Sequence, residues 1–201
     1  MSTCDIICVT HRTLCKEPFL QRMAGIIAAQ PAAILLREKD LPPRDYQALA
    51  QQVLELAGDQ VPVILHSYPD VALTLGCPRL HLPLPLLRTL SPQQRSAFQV
   101  LGASCHSVDE AKEAQALGCT YITAGHVFET SCKPGLAARG LTFLQHVTQA
   151  VSIPVWAIGG VMPENISRVR SAGAAGGCVM SGFMACDNPK TFVEAFSQIP
   201  M

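Results

Sequence analysis

Charge is scarce in this sequence. Asp, Glu, Lys and Arg together make up 15% of the 201 residues, and the 15 basic side chains are cancelled by 15 acidic ones. A chain without net charge has no basic field to concentrate nucleic acid or an anionic membrane, and no DNA-reading motif stands in for one. Long apolar runs are also missing. No stretch approaches the roughly 18 residues that span a bilayer, and the N-terminus lacks a basic patch leading into an apolar segment. A cytoplasmic protein is the expectation, with neither nucleic acid nor membrane as partner. Nine cysteines are present, but an odd number at irregular spacing, several in apolar runs such as Cys4-Asp5-Ile6-Ile7-Cys8, argues for reduced, buried thiols over a disulfide framework.

What remains points to a single enzyme-sized domain over residues 1–201 that takes a small molecule. Hydrophobic residues reach 49%, so the polar surface is small, in keeping with a homodimer that covers part of it. Short β-branched runs alternate with helix-period segments along the whole chain, the pattern of a parallel sheet with helical crossovers. Eight strands are expected at Ile6–Val9, Ala33–Arg37, Val61–His66, Leu80–Leu82, Val100–Ser104, Tyr121–Gly125, Val155–Ile158 and Gly177–Ser181. Helices are expected around 17–29, 43–57, 70–75, 92–98, 108–117, 138–151, 163–172 and 189–198. Open doubly wound sheets usually stop at five to seven strands, so eight strand–helix pairs predict an α/β fold of the (β/α)8 TIM barrel type, small beside the typical length of about 250 residues. Ser107 to Glu110 has capping-box spacing. After Leu80-His81-Leu82, the run Pro83-Leu84-Pro85 predicts a brief strand and a delayed helix.

Such barrels place their chemistry at the C-terminal strand ends. Strand seven ends in Gly159-Gly160 and strand eight in Met180-Ser181-Gly182. Glycines let an oxyanion approach backbone N–H groups, and the loops after strands seven and eight commonly form a phosphate site in this fold. Tight turns and close helix–sheet packing are the competing explanation of the glycines. His126 opens a long loop after strand six, where an imidazole could take and return a proton near neutral pH, against the commoner fate of a structural hydrogen bond. Arg37 and Lys39 share one side of an extended strand two and could meet an anion, or form a solvated cluster with Glu38 and Asp40. Ser104 could hydrogen-bond a ring or carboxylate. Cys105 and His106 suit packing and the next helix start. On the strand-six loop, Thr130 joins the substrate-binding candidates, and Lys133 could close onto a phosphate or carboxylate or be an ordinary surface lysine. His66 and His81 end neighbouring strands, but no third ligand at recognisable spacing accompanies them, so no metal is expected.

Leu36-Arg37-Glu38-Lys39, Leu101 to Ser107, Tyr121 to Lys133, Ala157-Ile158-Gly159-Gly160 and Val179-Met180-Ser181-Gly182 together resemble the thiamine phosphate synthase/TenI superfamily over nearly the whole chain. Gly125-His126-Val127-Phe128-Glu129-Thr130 looks like the TenI branch, the thiazole tautomerases of thiamine biosynthesis. The resemblance implies that synthases hold magnesium and pyrophosphate with an Asn-Asp pair ending strand three and an acid after strand four. Here those places carry His66-Ser67 and Leu86. Where synthases usually have proline, this chain has His126. The implied activity is aromatisation of a carboxythiazole ylidene phosphate by a His126-mediated proton shift without cofactor, with Arg37, Lys39, Ser104, Thr130 and Lys133 orienting the substrate and Gly159, Gly160, Met180 and Ser181 holding its phosphate. Thiamine phosphate synthase, or a non-catalytic regulator that binds thiazole phosphate, are the alternatives.

Overall fold

A computed structural model describes residues 5–130 and 135–197. Eight strands, β1 (Ile6–Val9), β2 (Ala33–Leu36), β3 (Val63–His66), β4 (Arg79–Pro83), β5 (Val100–Cys105), β6 (Tyr121–Gly125), β7 (Val155–Ile158) and β8 (Gly176–Val179), form a closed barrel in sequence order. Every pairing is parallel, and β8 returns to β1. Around it lie α1 (Phe19–Ala28), α2 (Pro43–Ala57), α3 (Pro69–Thr74), α4 (Leu84–Thr89), α5 (Pro92–Ser96), α6 (Val108–Ala116), α7 (Gly140–Ala150), α8 (Ile166–Ser171), α9 (Ser181–Ala185) and α10 (Pro189–Ser197).

Strand alternation sorts the apolar residues into two sets. Ile7, Val9, Ala33, Leu35, Ile64, Tyr121 and Cys178 pack together within the barrel. Their strand neighbours, among them Ile6, Cys8, Ile34, Leu36, Leu65, Leu80 and Ile122, join the larger core shared with the helices. A barrel of eight strands has room for few large interior side chains, and glycine supplies the space. A β-carbon on Gly176 would meet Asp5 O and the Trp156 ring, and one on Gly102 would enter the Tyr121 ring. The described cysteines are all free, five of them buried.

Three local expectations need correction. The helix expected around 92–98 is present as α5, but a shorter one precedes it without delay: α4 begins at Leu84, with Pro83 at the N-cap position and Pro85 in its first turn, where the missing N–H would have had no helical partner. The eighth strand ends at Val179, and Ser181 starts the short α9. Ser107 does accept from Glu110 N at 3.1 Å, but the Glu110 carboxylate returns to His106 N at 2.5 Å and not to Ser107.

Candidate active site at the barrel mouth

The polar residues ending the strands form two groups, one over β2–β6 and one over β6–β8. In the second, His126 follows β6 directly and is only 5% exposed. The chain folds back over it: Arg139 N donates to His126 O at 3.0 Å and Gly140 N to Val127 O at 3.0 Å. His126 Nε2 stands 3.2 Å from Leu136 O. A carbonyl can only accept, so Nε2 carries the hydrogen, and in the neutral ring Nδ1 is left as the basic nitrogen. His106 Nδ1 likewise donates to Gly125 O, at 2.8 Å, tying the β5 loop to the residue before His126.

Gly159 and Gly160 face this segment. Both have positive φ, +94° and +66°. A β-carbon on Gly159 would run into His126 Cβ, and one on Gly160 would lie 2.7 Å from Phe128 Cβ. Close packing of the β7 turn against the β6 loop therefore accounts for both glycines on their Cβ side. Their amides are another matter: among the described residues, no hydrogen bond engages the N–H groups of Gly159, Gly160, Met180 or Ser181. Ser181 is exposed in the first turn of α9, and Met180 packs partly against the barrel interior.

Over β2–β6 the mouth carries the charged run Arg37 to Asp40 and then a buried polar chain. Burial holds the His66 imidazole far below its ordinary range, to a pKa of about 2, and neighbouring His81, Arg37 and Lys39 push in the same direction. β2 ends at Leu36, so Arg37 and Lys39 lie beyond the extended strand, in the loop leading to α2. Glu38, between them, is not part of a solvated cluster. It is buried, accepting from Thr10 Oγ1 at 2.7 Å and from Arg12 N at 3.0 Å, while Arg12 also pairs with exposed Asp40. The His66 and His81 rings stack with centroids 5.7 Å apart. His81 Nδ1 meets Tyr121 Oη at 2.9 Å, and its Nε2 meets Ser104 Oγ at 2.9 Å. Gly102 makes that contact possible. It is the register partner of both His81 and Tyr121, and with no side chain between them the two outer residues touch.

The donor set does not suit a hard divalent cation. Such ions take carboxylate and carbonyl oxygens. At the ends of β3 and β4 stand His66, whose Nδ1 is 2.6 Å from Ser67 Oγ, His81 with both nitrogens engaged, and the apolar Leu82-Pro83-Leu84, while Leu86 packs on the core. Thr130 is half-buried on the β6 loop. Lys133 lies outside the described residues.

A family model described as thiamine monophosphate synthase matches residues 6–183. The chain belongs to this family. A thiamine-phosphate synthase of Syntrophomonas wolfei is 31% identical over 199 residues, covering 95% of this chain and 93% of its own. One from Caldivirga maquilingensis is 36% identical over 68% of each chain. Among solved structures, a thiamine phosphate pyrophosphorylase from Pyrococcus furiosus superposes with a TM-score of 0.82 at 26% identity, covering 98% of this chain and 95% of that one. A 3-hexulose-6-phosphate synthase, at 18% identity and a TM-score of 0.70, shares the fold. These findings support an enzyme of the thiamine-phosphate synthase family. The relatives' names favour the synthase, the second reading of the sequence, over the TenI-type tautomerase.

The sequence alone does not single out Tyr121 and Thr123. Both face the barrel interior through a strand that reads as plain apolar core, and only the register across β4, β5 and β6 brings them to His81 and Ser104.

Proposed function

We propose that this member of the thiamine monophosphate synthase family binds a thiazole phosphate at the barrel mouth and catalyses a proton shift on its ring, aromatising a carboxythiazole ylidene phosphate. The observation that carries this reading is His126: with Nε2–H committed to the Leu136 carbonyl, the neutral ring offers Nδ1 as a base at the end of β6, beside the Gly159 turn. The ring C–H bond breaks as the Nδ1–H bond forms, and the imidazolium returns a proton to the exocyclic carbon. Product aromaticity supplies the driving force, so a positioned acid/base and an anchor for the phosphate suffice. The unengaged amides of Gly159, Gly160, Met180 and Ser181 support that anchor, and the charges of Arg37 and Lys39 support a carboxylate site across the mouth.

A second reading, thiamine-phosphate synthase, is favoured by the names of the relatives. It needs a magnesium site that the residues ending β3 and β4 do not provide. One pair of assays separates the two. Purified protein is given the ylidene phosphate without added metal, and separately the pyrimidine pyrophosphate, thiazole phosphate and magnesium. Aromatisation in the first and no joining in the second is the expected result. Joining without aromatisation makes the chain a synthase, and tight thiazole phosphate binding with neither reaction makes it a non-catalytic binder.

A further inference from the structure

We propose that Tyr121 and His81 act as positioning residues that hold the Ser104 hydroxyl as a hydrogen-bond donor aimed into the mouth, at an acceptor on the bound ligand. The donor direction follows from counting hydrogens. Tyr121 is buried, and among the described residues its hydroxyl has one partner, His81 Nδ1 at 2.9 Å. Had Nδ1 carried the imidazole hydrogen, the Tyr121 hydroxyl would accept it and its own hydrogen would be stranded in the interior, an arrangement that buried polar groups avoid. With Tyr121 donating to Nδ1, a neutral His81 must carry its hydrogen on Nε2 and donate it to Ser104 Oγ at 2.9 Å. Burial keeps His81 neutral down to a pKa of about 3, so a doubly protonated ring does not blur the choice. Thr123 Oγ1 lies 3.5 Å from the same Ser104 oxygen, and because Thr123 is buried and its hydroxyl has no other partner among the described residues, the same counting makes it a donor as well. Ser104 thus receives on its lone pairs, and its own hydrogen has no acceptor among the described residues.

Ser104 is half-buried, one residue from the end of β5, so that hydrogen is available to a ligand. The ligand atom must be an acceptor, such as a carboxylate oxygen or a ring nitrogen. That it belongs to a carboxythiazole phosphate rests on the function proposed above; the direction of the relay does not.

The test has two arms. Long-range 1H–15N spectra of the imidazoles, with His81 assigned from its loss in His81→Gln, report which nitrogen carries the hydrogen. The Nε2–H form is expected, and the Nδ1–H form would overturn the proposal. The second arm measures binding of carboxythiazole phosphate by calorimetry. Ser104→Ala is expected to weaken it about tenfold or more. His81→Gln, whose amide nitrogen can still donate toward Ser104, should stay within about threefold of the parent, while His81→Asn, which reaches only the Tyr121 end, should resemble Ser104→Ala. Unchanged signals from the other imidazoles report that each variant is folded. Equal losses in Gln and Asn would reduce His81 to filling space. If the parent protein binds no carboxythiazole phosphate, the proposed function fails while the spectra still decide the relay.

Discussion

His81 and Tyr121 sit on strands that are not neighbours, yet His81 Nδ1 and Tyr121 Oη are 2.9 Å apart, meeting over Gly102 on the strand between them. A β-carbon on Gly102 would enter the Tyr121 ring and lie 2.6 Å from His81 Nδ1. Gly102→Ala should therefore cost about 1–3 kcal/mol of stability, as overpacking of an interior does, and should break the contact. Urea unfolding measures the first and the His81 imidazole spectrum the second. A variant as stable as the parent with an unaltered His81 signal would contradict this.

If the proposed function holds, His126→Ala is expected to lower the rate of aromatisation by about 10²- to 10⁴-fold while product still binds, because the proposed phosphate anchor at Gly159, Gly160, Met180 and Ser181 and the charges of Arg37 and Lys39 are left in place. Steady-state rates and product titration check the two halves. Full activity in the variant would remove His126 from the chemistry.

Gly159 and Gly118 offer a controlled comparison. Their φ angles are nearly the same, +94° and +92°, but a β-carbon on Gly118 meets nothing within 4 Å, whereas one on Gly159 collides with His126. Gly118→Ala measures backbone strain alone, on the order of 1 kcal/mol. Gly159→Ala should exceed it in lost stability and, unlike Gly118→Ala, should also reduce aromatisation by displacing the imidazole.

Acid should destabilise the fold through His66 and His81. Burial lowers their pKa values to about 2 and about 3. An unfolded chain binds protons on both below its ordinary histidine pKa of about 6.5, while the native state does not, so stability rises with pH across this range. Moving down from about 6.5 toward about 3, the loss approaches about 1.4 kcal/mol per pH unit for each ring. Urea unfolding from pH 7 to 4 should show this slope, and His81→Gln should remove one ring's share. A flat profile would mean that the rings are not held neutral.

The sequence discloses the barrel and its strand ends because both depend on local patterning. β1, β6 and β7 lie where the apolar runs place them, and glycine, serine and histidine at strand ends are visible one residue at a time. The start of α4 is less legible, since Pro83 and Pro85 look like breakers until one counts the N–H groups a first helical turn can spare. The His81–Tyr121–Ser104 chain is not legible at all. Its members are 23 and 40 positions apart, and their meeting depends on a register shared by three strands. Gly159 and Gly160 carry two meanings, since packing against the β6 loop explains the missing side chains and leaves the amides to be explained separately.

The closure of β8 onto β1 has a consequence for how the chain is made. Ile6 pairs with Gly177, and Arg170 reaches back to Asp5 through two hydrogen bonds. During synthesis the first strand must wait, one side unpaired, until β8 has left the ribosome. A product terminated before Gly176 would leave the outer sides of β1 and β7 as exposed sheet edges, each a template for pairing with another nascent chain. Premature termination should thus give aggregates in place of a shortened barrel.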